Sequence, residues 1–348
     1  MSSPRDTLLL GAEDVAALLD YPACIDAVEA AFRTRGEGRM PRAAICGVHV
    51  DGGGFHVKAA ALPSAPPYFA SKTNANFPAN PAAHGLPTIQ GLLLLFDAER
   101  GVPLAIMDSA EITLRRTAAA TAVAAKHLAR PESRVLTIIG CGAQGRASVA
   151  ALSAVLPLER VYALDSDPRA ASSFAADTAA AYGVQVLPVQ RLGDDTRASD
   201  VFVTCTPSLE FVLGPEDVGE GAFVAGVGAD NGIKRELSPA LLATGRLIPD
   251  VLEQAAEIGD LHHALESGEL ELGAVAADLG QVVAGTKPGR TSPEEITIFD
   301  STGTAIQDVA SAALVYERAI TAGRGASFRF FGGSRVPALV SPRFVPKL

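Results

Sequence analysis

Apolar residues recur at two different spacings along the chain, and the change of spacing predicts the order of its elements. Between residues 11 and 35 the spacing is helical, with Val15, Leu18, Leu19, Ile25, Val28, Ala31 and Phe32. Pro22 is expected to start a second helical segment, because proline is favoured in a first helical turn. Gly52-Gly53-Gly54 predicts a hairpin turn, and strands are predicted at residues 55–61, 69–76 and 88–96. The first third is therefore expected to be mainly antiparallel β-structure after helical opening segments.

Short, continuously apolar segments alternate with helical ones from residue 109 onwards. Ser109 is predicted to cap a helix that runs to Leu128. Strands are then predicted at residues 135–139, 161–164, 184–189, 201–204, 223–227 and 247–251, with helices at 143–155 and 169–182. Such alternation is typical of a parallel sheet covered on both faces. A last helix is predicted at 305–320 after the apolar residues 297–299, and the final twenty residues, with three prolines, are expected to follow a surface.

Length and charge narrow the class of protein. The 348 residues correspond to about two domains, and 48% hydrophobic residues are enough for a sizeable core. The formal net charge of −10 argues against a nucleic acid or an anionic membrane as the main partner, since both require a positive surface. The longest uninterrupted apolar runs, such as Leu92 to Phe96, are far shorter than a membrane span, and the N-terminus lacks the features of a secretory signal. We therefore expect a soluble, cytoplasmic protein.

The cysteines and histidines do not predict a disulfide framework or a metal site. Cys24, Cys46, Cys141 and Cys205 are widely spaced, and no Cys-x-x-Cys pair occurs. The adjacent pair His262-His263 is expected to diverge by about 100° on a helix, which favours no shared metal ion.

The strongest motif is Gly140-Cys-Gly142-Ala-Gln-Gly145. It follows an apolar strand and opens a helix, and Asp165 ends the next strand 20 residues further on. This is the complete dinucleotide-binding fingerprint, in which the helix N-terminus holds the pyrophosphate and the acid binds the ribose hydroxyls. Because the Asp165 carboxylate would repel a 2′-phosphate, the motif predicts NAD(H) rather than NADP(H).

Several charged residues stand in unusual places for an acidic protein. Arg42 and Lys72 lie in strand-like segments, and Arg116 lies inside a helix rich in alanine and threonine. A buried arginine requires an anionic partner, and arginine suits carboxylate binding, so Arg116 is predicted to hold an anion. Asp230 directly follows Gly226 and Gly228 at the end of a predicted strand, where a general acid or base would face the cofactor. Asp230 as a turn residue before Asn231-Gly232 remains an equally good interpretation of that segment.

Five segments together resemble the ornithine cyclodeaminase/mu-crystallin family, which also contains archaeal-type alanine dehydrogenase and several ketimine reductases. They are SKTNANFPANPAAHGLPTIQG, GVPLAIMDSAEITLRRTAAATA, IIGCGAQG, GVGAD with the following KREL, and FDSTGTAIQD. The resemblance implies an α/β fold: a Rossmann-type NAD-binding domain at 118–304, inserted into an antiparallel β-rich domain at 1–117 with 305–348. The latter is implied to bind substrate and form a homodimer.

The resemblance also implies roles for individual residues. Arg42, Lys72 and Arg116 would bind the substrate α-carboxylate, with Thr302 nearby, and Lys72 and Asp230 would be the catalytic residues. The implied dinucleotide contacts are Thr88, Gly140, Gly142, Ala143, Gln144, Gly145, Asp165, Thr204, Gly226, Val227, Gly228, Lys234 and Ser301.

The implied chemistry removes hydride from a small L-amino acid to give an imine, from which three outcomes branch. The first of these, by a small margin, is a cyclodeaminase of the ornithine or lysine type, which is a lyase. The alternatives are two oxidoreductases: an alanine dehydrogenase-like enzyme and a ketimine reductase of the pyrroline-2-carboxylate type. Ornithine-specific members carry a glutamate in the strand before the SK segment, where this chain has FHVKAAALP, with Lys58 and no acid, and a cation there would repel an ω-ammonium group. The substrate is therefore expected to be a shorter, neutral amino acid, unless Asp230 alone serves the ω-amine. A non-catalytic, mu-crystallin-like dinucleotide-binding protein is the remaining alternative, and the combination of Lys72, Arg116 and Asp230 argues against it.

Overall fold

The structure, a computed structural model, describes residues 6–330. Its first third contains two opening helices and all but one of the strands of a first sheet, and a long helix then leads into an alternating α/β region. The helices are α1 (Ala12–Leu18), α2 (Tyr21–Gly36), α3 (Asn80–His84), α4 (Ser109–Leu128), α5 (Ala143–Ser153), α6 (Pro168–Tyr182), α7 (Asp194–Arg197), α8 (Pro239–Thr244), α9 (Leu252–Ala255), α10 (Asp260–Ser267), α11 (Leu279–Val283) and α12 (Ala305–Ala322).

The first sheet is mixed and mainly antiparallel. Its strands are β1 (Thr7–Leu10), β2 (Ala44–Val50), β3 (Gly53–Leu62), β4 (Tyr68–Asn76), β5 (Ile89–Asp97), β6 (Pro103–Asp108) and β14 (Ala326–Phe328), in the order β14-β1-β6-β5-β4-β3-β2. The predicted hairpin at Gly52 joins β2 to β3, and Gly52 has the positive φ that this turn requires. The antiparallel prediction is confirmed except for β1 and β6, which pair in parallel.

The second sheet is wholly parallel. Its strands are β7 (Val135–Ile139), β8 (Arg160–Leu164), β9 (Gln185–Val189), β10 (Val201–Thr204), β11 (Phe223–Gly226), β12 (Arg246–Pro249) and β13 (Thr297–Asp300), in the order β12-β13-β11-β10-β7-β8-β9. This confirms the predicted Rossmann-type α/β sheet, in which ligands bind beyond the carboxyl ends of the strands. The pattern did not predict the short helices α3 and α7 to α11, and all of these except α10 are shorter than the two turns that a helical period requires.

Helix α4 lies against both α2 and α5, and its many small side chains allow this close packing. The prediction that Ser109 caps this helix is wrong. Asp108 is the N-cap, because its side chain accepts a hydrogen bond from the backbone N–H of Glu111. Ser109 is instead buried in the first turn, where its hydroxyl donates to Oδ1 of Asn74 at 2.6 Å.

Helix α12 returns from the second sheet to the first, as the sequence predicts. It packs across β3 and β4, and Tyr68 on β4 donates a hydrogen bond to Glu317 at 2.9 Å. This return brings the early turns of α12 beside α4, which also packs against it. Helices α4 and α12, which are far apart in the sequence, therefore lie side by side.

The expected surface segment at the C-terminus lies outside the described residues, apart from its first two positions. None of the helices between residues 6 and 330 combines the length and the apolar character that crossing a membrane requires.

Candidate functional site

Two neighbouring strands of the first sheet form the floor of a small polar cavity of about 80 Å³. On β4, Lys72, Asn74 and Asn76 share one face because side chains alternate along a strand. On β3, Lys58 lies opposite Lys72, and His56 lies opposite Asn74. The cavity lining is completed by Ile89, Thr113, Arg116, Asp230 and Asn231. The structure therefore brings together the predicted residues Lys72, Arg116 and Asp230.

Lys72 and Arg116 share one buried carboxylate that the sequence analysis did not identify. Oδ1 of Asp308, on α12, lies 2.8 Å from Nζ of Lys72 and 2.9 Å from Nε of Arg116. Burial lowers the pKa of Lys72 to about 7, although Asp308 opposes this shift. Burial alone would raise the pKa of Asp308, but the two cations hold it below its usual value. Asp308 is therefore ionised and orients both cations toward the cavity.

Lys58 adds a third cation without an acidic partner of its own. Its ammonium donates to the backbone carbonyls of Thr302, at 3.3 Å, and Gly303. Within residues 6–330 it forms no ion pair shorter than 4.0 Å, and burial lowers its pKa. With Lys58, the cations of the cavity outnumber the carboxylate that Lys72 and Arg116 share, so the cavity can accept a further anion. A substrate carboxylate meets that requirement.

Asp230 reaches the cavity from the loop that follows β11. Its Oδ1 accepts a hydrogen bond from Lys234 at 2.8 Å, and 49% of its side chain is exposed. Its surroundings would raise its pKa through desolvation, yet Lys234, Lys58 and His56 together hold the pKa below its usual value. Burial lowers the pKa of His56, so its imidazole is neutral near pH 7. The cavity thus holds a carboxylate and an imidazole that can move protons.

The glycine motif forms the predicted turn at the carboxyl end of β7. Gly140 has φ of 102°, and a Cβ there would lie 2.7 Å from the Cys205 carbonyl oxygen. A Cβ on Gly145 would lie 2.3 Å from the carbonyl oxygen of Gly140, so α5 can approach the strand only without a side chain. The Cβ position of Gly142 has no heavy atom within 4 Å. This open backbone at the start of α5, where Ala143 and Gln144 follow, fits a pyrophosphate.

Asp165 lies at the end of β8 beside that turn. Its carboxylate accepts hydrogen bonds from the backbone N–H groups of Cys141, at 2.8 Å, and Asp167, at 2.9 Å, which fix its orientation. A cavity of about 580 Å³ opens here. Its lining includes Gly140, Gly142, Asp165, Ser166, Gln190, Thr206 and Ser208. The size and chemistry of this cleft fit the adenosine half of a dinucleotide.

Buried Glu236 connects the cleft beside Asp165, called the dinucleotide cleft below, to the loop after β11 that carries Asp230, called the Asp230 loop. It accepts hydrogen bonds from the hydroxyl of Thr204 at 2.8 Å and from the backbone N–H groups of Thr206 and Gly228. Thr206 lines the cleft, and Gly228 lies two residues before Asp230. A Cβ on Gly228 would lie 2.2 Å from the Thr206 carbonyl oxygen, so the two segments touch.

Other residues predicted for the cofactor lie near the same strand ends. Gly226 ends β11, and the backbone N–H of the buried Val227 donates to the carbonyl of Thr204 at 2.9 Å. Ser301 follows β13, and its buried hydroxyl has no hydrogen-bond partner among the described atoms. Lys234 forms an ion pair with Asp230. Thr88 precedes β5, and its backbone carbonyl accepts a hydrogen bond from the backbone N–H of Phe77. Their contacts with a dinucleotide remain predictions.

Two residues predicted for the substrate do not line the cavity. Arg42 is exposed and lies three residues before Ile45, which pairs with Lys58 across the hairpin. The Thr302 hydroxyl is buried, donating to Asp250 at 2.8 Å and accepting from Gln254 at 2.8 Å. Only the backbone carbonyl of Thr302 reaches a cavity residue, Lys58. The substrate contacts of Arg42 and Thr302 therefore remain predictions.

The two cysteines near the dinucleotide cleft are held as thiols. Burial, reinforced by Asp165, raises the pKa of Cys141 to about 12. Burial also raises the pKa of Cys205 well above its usual value, with Glu236 adding to the effect. Because the thiolate is the reactive form, neither position is suited to nucleophilic chemistry.

Several solved structures share the fold of this chain. An archaeal alanine dehydrogenase dimer with bound NAD superimposes with a TM-score of 0.88, at 38% identity over 94% of this chain and 100% of the other. The Δ(1)-pyrroline-2-carboxylate reductase of Thermococcus litoralis, solved with NADH and L-proline, gives 0.87 at 32% identity over 92% and 99%. A lysine cyclodeaminase gives 0.80 at 32% identity over 92% and 95%.

Sequence comparison leads to the same group of proteins. The alanine dehydrogenase of Archaeoglobus fulgidus is 38% identical over 329 residues, which is 94% of this chain and 99% of the relative. The profile of the ornithine cyclodeaminase/mu-crystallin family matches residues 5–323. The chain therefore belongs to the ornithine cyclodeaminase/mu-crystallin family.

Proposed function

We propose that this protein is an NAD(H)-dependent enzyme that converts a small L-amino acid and its imine into one another. One observation carries the proposal: Lys72 and Arg116 converge on Asp308 at the floor of a cavity that also holds Asp230. The open Gly142 backbone and the Asp165 carboxylate support NAD as the cofactor. When bound, a nicotinamide dinucleotide supplies the hydride acceptor or donor. The alanine dehydrogenase and the reductase to which the chain is similar were solved with NAD and NADH, respectively.

The residues of this chain supply binding and proton transfer. Lys72 and Arg116 hold the α-carboxylate, which fixes the position of the adjacent Cα–N bond. Asp230 accepts a proton from the substrate amine, or from the water that adds to the imine carbon. His56, in the same cavity, can pass that proton to solvent. In the dehydrogenase direction an L-amino acid, NAD⁺ and water give a 2-oxo acid, NADH, ammonium and one proton.

Lys58 favours the dehydrogenase and reductase branches over cyclodeamination. Its ammonium lies in the cavity directly across from Lys72, where a second substrate amine would meet a like charge. A substrate with one carboxylate and a neutral side chain places no second cation beside Lys58. Cyclodeamination is the second candidate, because Asp230 is half-exposed and could hold an ω-ammonium, and because a lysine cyclodeaminase is among the similar structures.

A turnover assay tests the reaction and separates the branches. The protein is incubated with NAD⁺ and L-alanine, L-ornithine or L-lysine, and separately with NADH and cyclic or acyclic imines, while NADH absorbance and ammonia are measured. NADH and ammonia together indicate a dehydrogenase, and ammonia without net NADH indicates a cyclodeaminase. NADH consumption with imines alone indicates a reductase. Bound NADH with no turnover in any arm would contradict the enzymatic proposal.

Adjacent arginines on α4 provide a matched test of the carboxylate site. Arg116 faces the cavity, whereas Arg115 bonds Glu111 and the Leu19 carbonyl on the other side of the helix. Arg116→Leu is expected to raise the substrate KM at least tenfold or abolish activity, since a charged hydrogen bond contributes about 1.5–3 kcal/mol. Arg115→Leu is expected to leave KM unchanged. Equal effects in both variants would remove Arg116 from the site.

We also propose a homodimer formed through the outer face of the first sheet. Strand β2 is exposed along its whole length, and Leu92 and Leu94 on β5 are exposed while the alternating Leu93 and Leu95 are buried. A strand with two apolar faces requires a second partner, and the archaeal alanine dehydrogenase to which the chain is similar is a dimer. Leu92→Glu is expected to give a monomer in light scattering, and an unchanged mass would contradict this interface.

We also propose that the two sheets define the two domains expected from the sequence. The first domain consists of residues 1–117 together with residues 305–348, and the second consists of residues 118–304.

A further inference from the structure

Helix α10 carries a group of three potential metal ligands outside the cavity described above. One ring nitrogen of His262, one of His263 and a carboxylate oxygen of Glu266 all lie within 4.8 Å of one another. Oε2 of Glu266 is 3.4 Å from His262 and 3.9 Å from His263. The sequence favoured divergent rings, but the side-chain conformations bring both to the same carboxylate.

Each ring has its other nitrogen beside a backbone carbonyl. Nε2 of His263 lies 2.9 Å from the Lys234 carbonyl oxygen, and Nδ1 of His262 lies 3.4 Å from the Ala256 carbonyl oxygen. A carbonyl oxygen only accepts, so each of these nitrogens carries the proton. In neutral rings the nitrogens that face Glu266 therefore present lone pairs. Metal-binding histidines are fixed in their tautomers in this way.

Two lone pairs and a carboxylate facing one point repel each other unless a cation lies between them. A divalent metal ion between the three groups meets this requirement. We propose that His262, His263 and Glu266 form a binding site for a divalent transition-metal ion of the zinc type.

The ligand set defines the class of metal. Two imidazole nitrogens and one carboxylate oxygen suit Zn²⁺ and the neighbouring ions Co²⁺, Ni²⁺ and Cu²⁺, and they do not suit Mg²⁺ or Ca²⁺, which favour oxygen ligands. The side chain of Glu266 is 65% exposed, so water can complete the coordination sphere. The glutamate can also move the short distance needed to contact the ion.

The site is connected to the Asp230 loop through a single residue. The Lys234 carbonyl bonds His263, and the Lys234 ammonium bonds Asp230 at 2.8 Å. A bound ion would fix the His263 ring and hence the loop from Gly228 to Glu236. The structure thus provides a route by which the metal could order Asp230, while binding itself does not depend on the proposed reaction.

The experiment measures metal binding to the untagged, full-length protein after chelator treatment and dialysis. Isothermal titration with Zn²⁺ at pH 7.5 is expected to show about one site per chain with micromolar or tighter affinity. Co²⁺ in its place is expected to give a visible absorption band without thiolate charge transfer, because no cysteine belongs to the group.

Variants assign the binding to these residues. Glu266→Gln and His262→Gln change side chains that reach solvent, so the fold is expected to survive, and circular dichroism checks this. Each is expected to weaken Zn²⁺ binding at least tenfold. His84→Gln, at an exposed histidine on α3, is the matched control and is expected to bind as the parent does. The proposal is overturned by the absence of saturable micromolar binding, or by equal affinity in Glu266→Gln and the parent.

Discussion

The ammonium of Lys72 lies 2.8 Å from Oδ1 of Asp308, and both side chains are almost fully buried, at 3% and 2% exposed. The two residues are 236 positions apart and come from β4 and α12. Arg116 contacts the same oxygen, so one carboxylate determines the position of both cations. Both the stability of the protein and its affinity for a substrate carboxylate are therefore expected to depend on Asp308.

Replacing Asp308 by asparagine tests this dependence. The substitution leaves two buried cations without their counter-ion, and breaking a buried ion pair costs about 3–5 kcal/mol. Asp308→Asn is expected to lower the free energy of unfolding by this order in urea denaturation. Asp230→Asn, at a half-exposed pair, is expected to lose less than about 1 kcal/mol while losing turnover. Equal stability of Asp308→Asn and the parent would show that the buried pair carries no net stabilisation.

The lowered pKa of Lys72 predicts how substrate affinity depends on pH. Because this pKa is about 7, the ammonium is present below neutral pH and is lost as the pH rises through that value. A substrate carboxylate is attracted only by the protonated form, so kcat/KM is expected to fall above about pH 7. Lys72→Arg keeps its charge, and its pH profile is expected to lack this decline. The same decline in Lys72→Arg and the parent would assign the titration to another group.

Asp165 provides a test of cofactor choice. Asp165→Asn keeps an oxygen that can accept from the Cys141 N–H but removes the negative charge. It is expected to weaken NADH binding about tenfold or more and to reduce discrimination against NADPH, as measured by nucleotide fluorescence. Asp167→Asn, which changes the cap of α6 two residues away, serves as the control. Unchanged nucleotide affinity in Asp165→Asn would contradict the assignment.

Asp300 predicts a pH-dependent stability that is separate from catalysis. Burial, with Asp250 and Glu236 nearby, raises its pKa to about 8. The folded protein thus retains a proton that the unfolded chain loses near pH 4, so the contribution of Asp300 to stability falls as the pH rises from about 4 to about 8. Asp300→Asn removes this titration and is expected to give a flatter plot of Tm against pH. Parallel plots for the variant and the parent would contradict the raised pKa.

The sequence predicted those parts of the site that depend on local backbone geometry. Gly140, Gly142 and Gly145 occupy their positions because a strand, a tight turn and a helix follow one another directly. Lys72, Arg116 and Asp230 were identified as unusual charges or by resemblance, and the cavity brings them together.

The residues that were missed depend on contacts between distant elements. Asp308 ends the segment FDSTGTAIQD, but its role arises only when α12 packs beside β4. His56 could have been found, because it lies two residues before Lys58 and so shares its face of β3. No sequence period indicates that Arg42 is exposed, since its orientation depends on how the chain enters β2.

The return of α12 also affects how the protein is made. Asp308 is synthesised long after Lys72 and Arg116, so a growing chain has both cations but no counter-ion until its last long helix leaves the ribosome. A chain that stops before α12 therefore lacks the carboxylate that positions both cations. A truncated product of this gene would be expected to be inactive, and its unpaired buried charges would favour its unfolding and degradation.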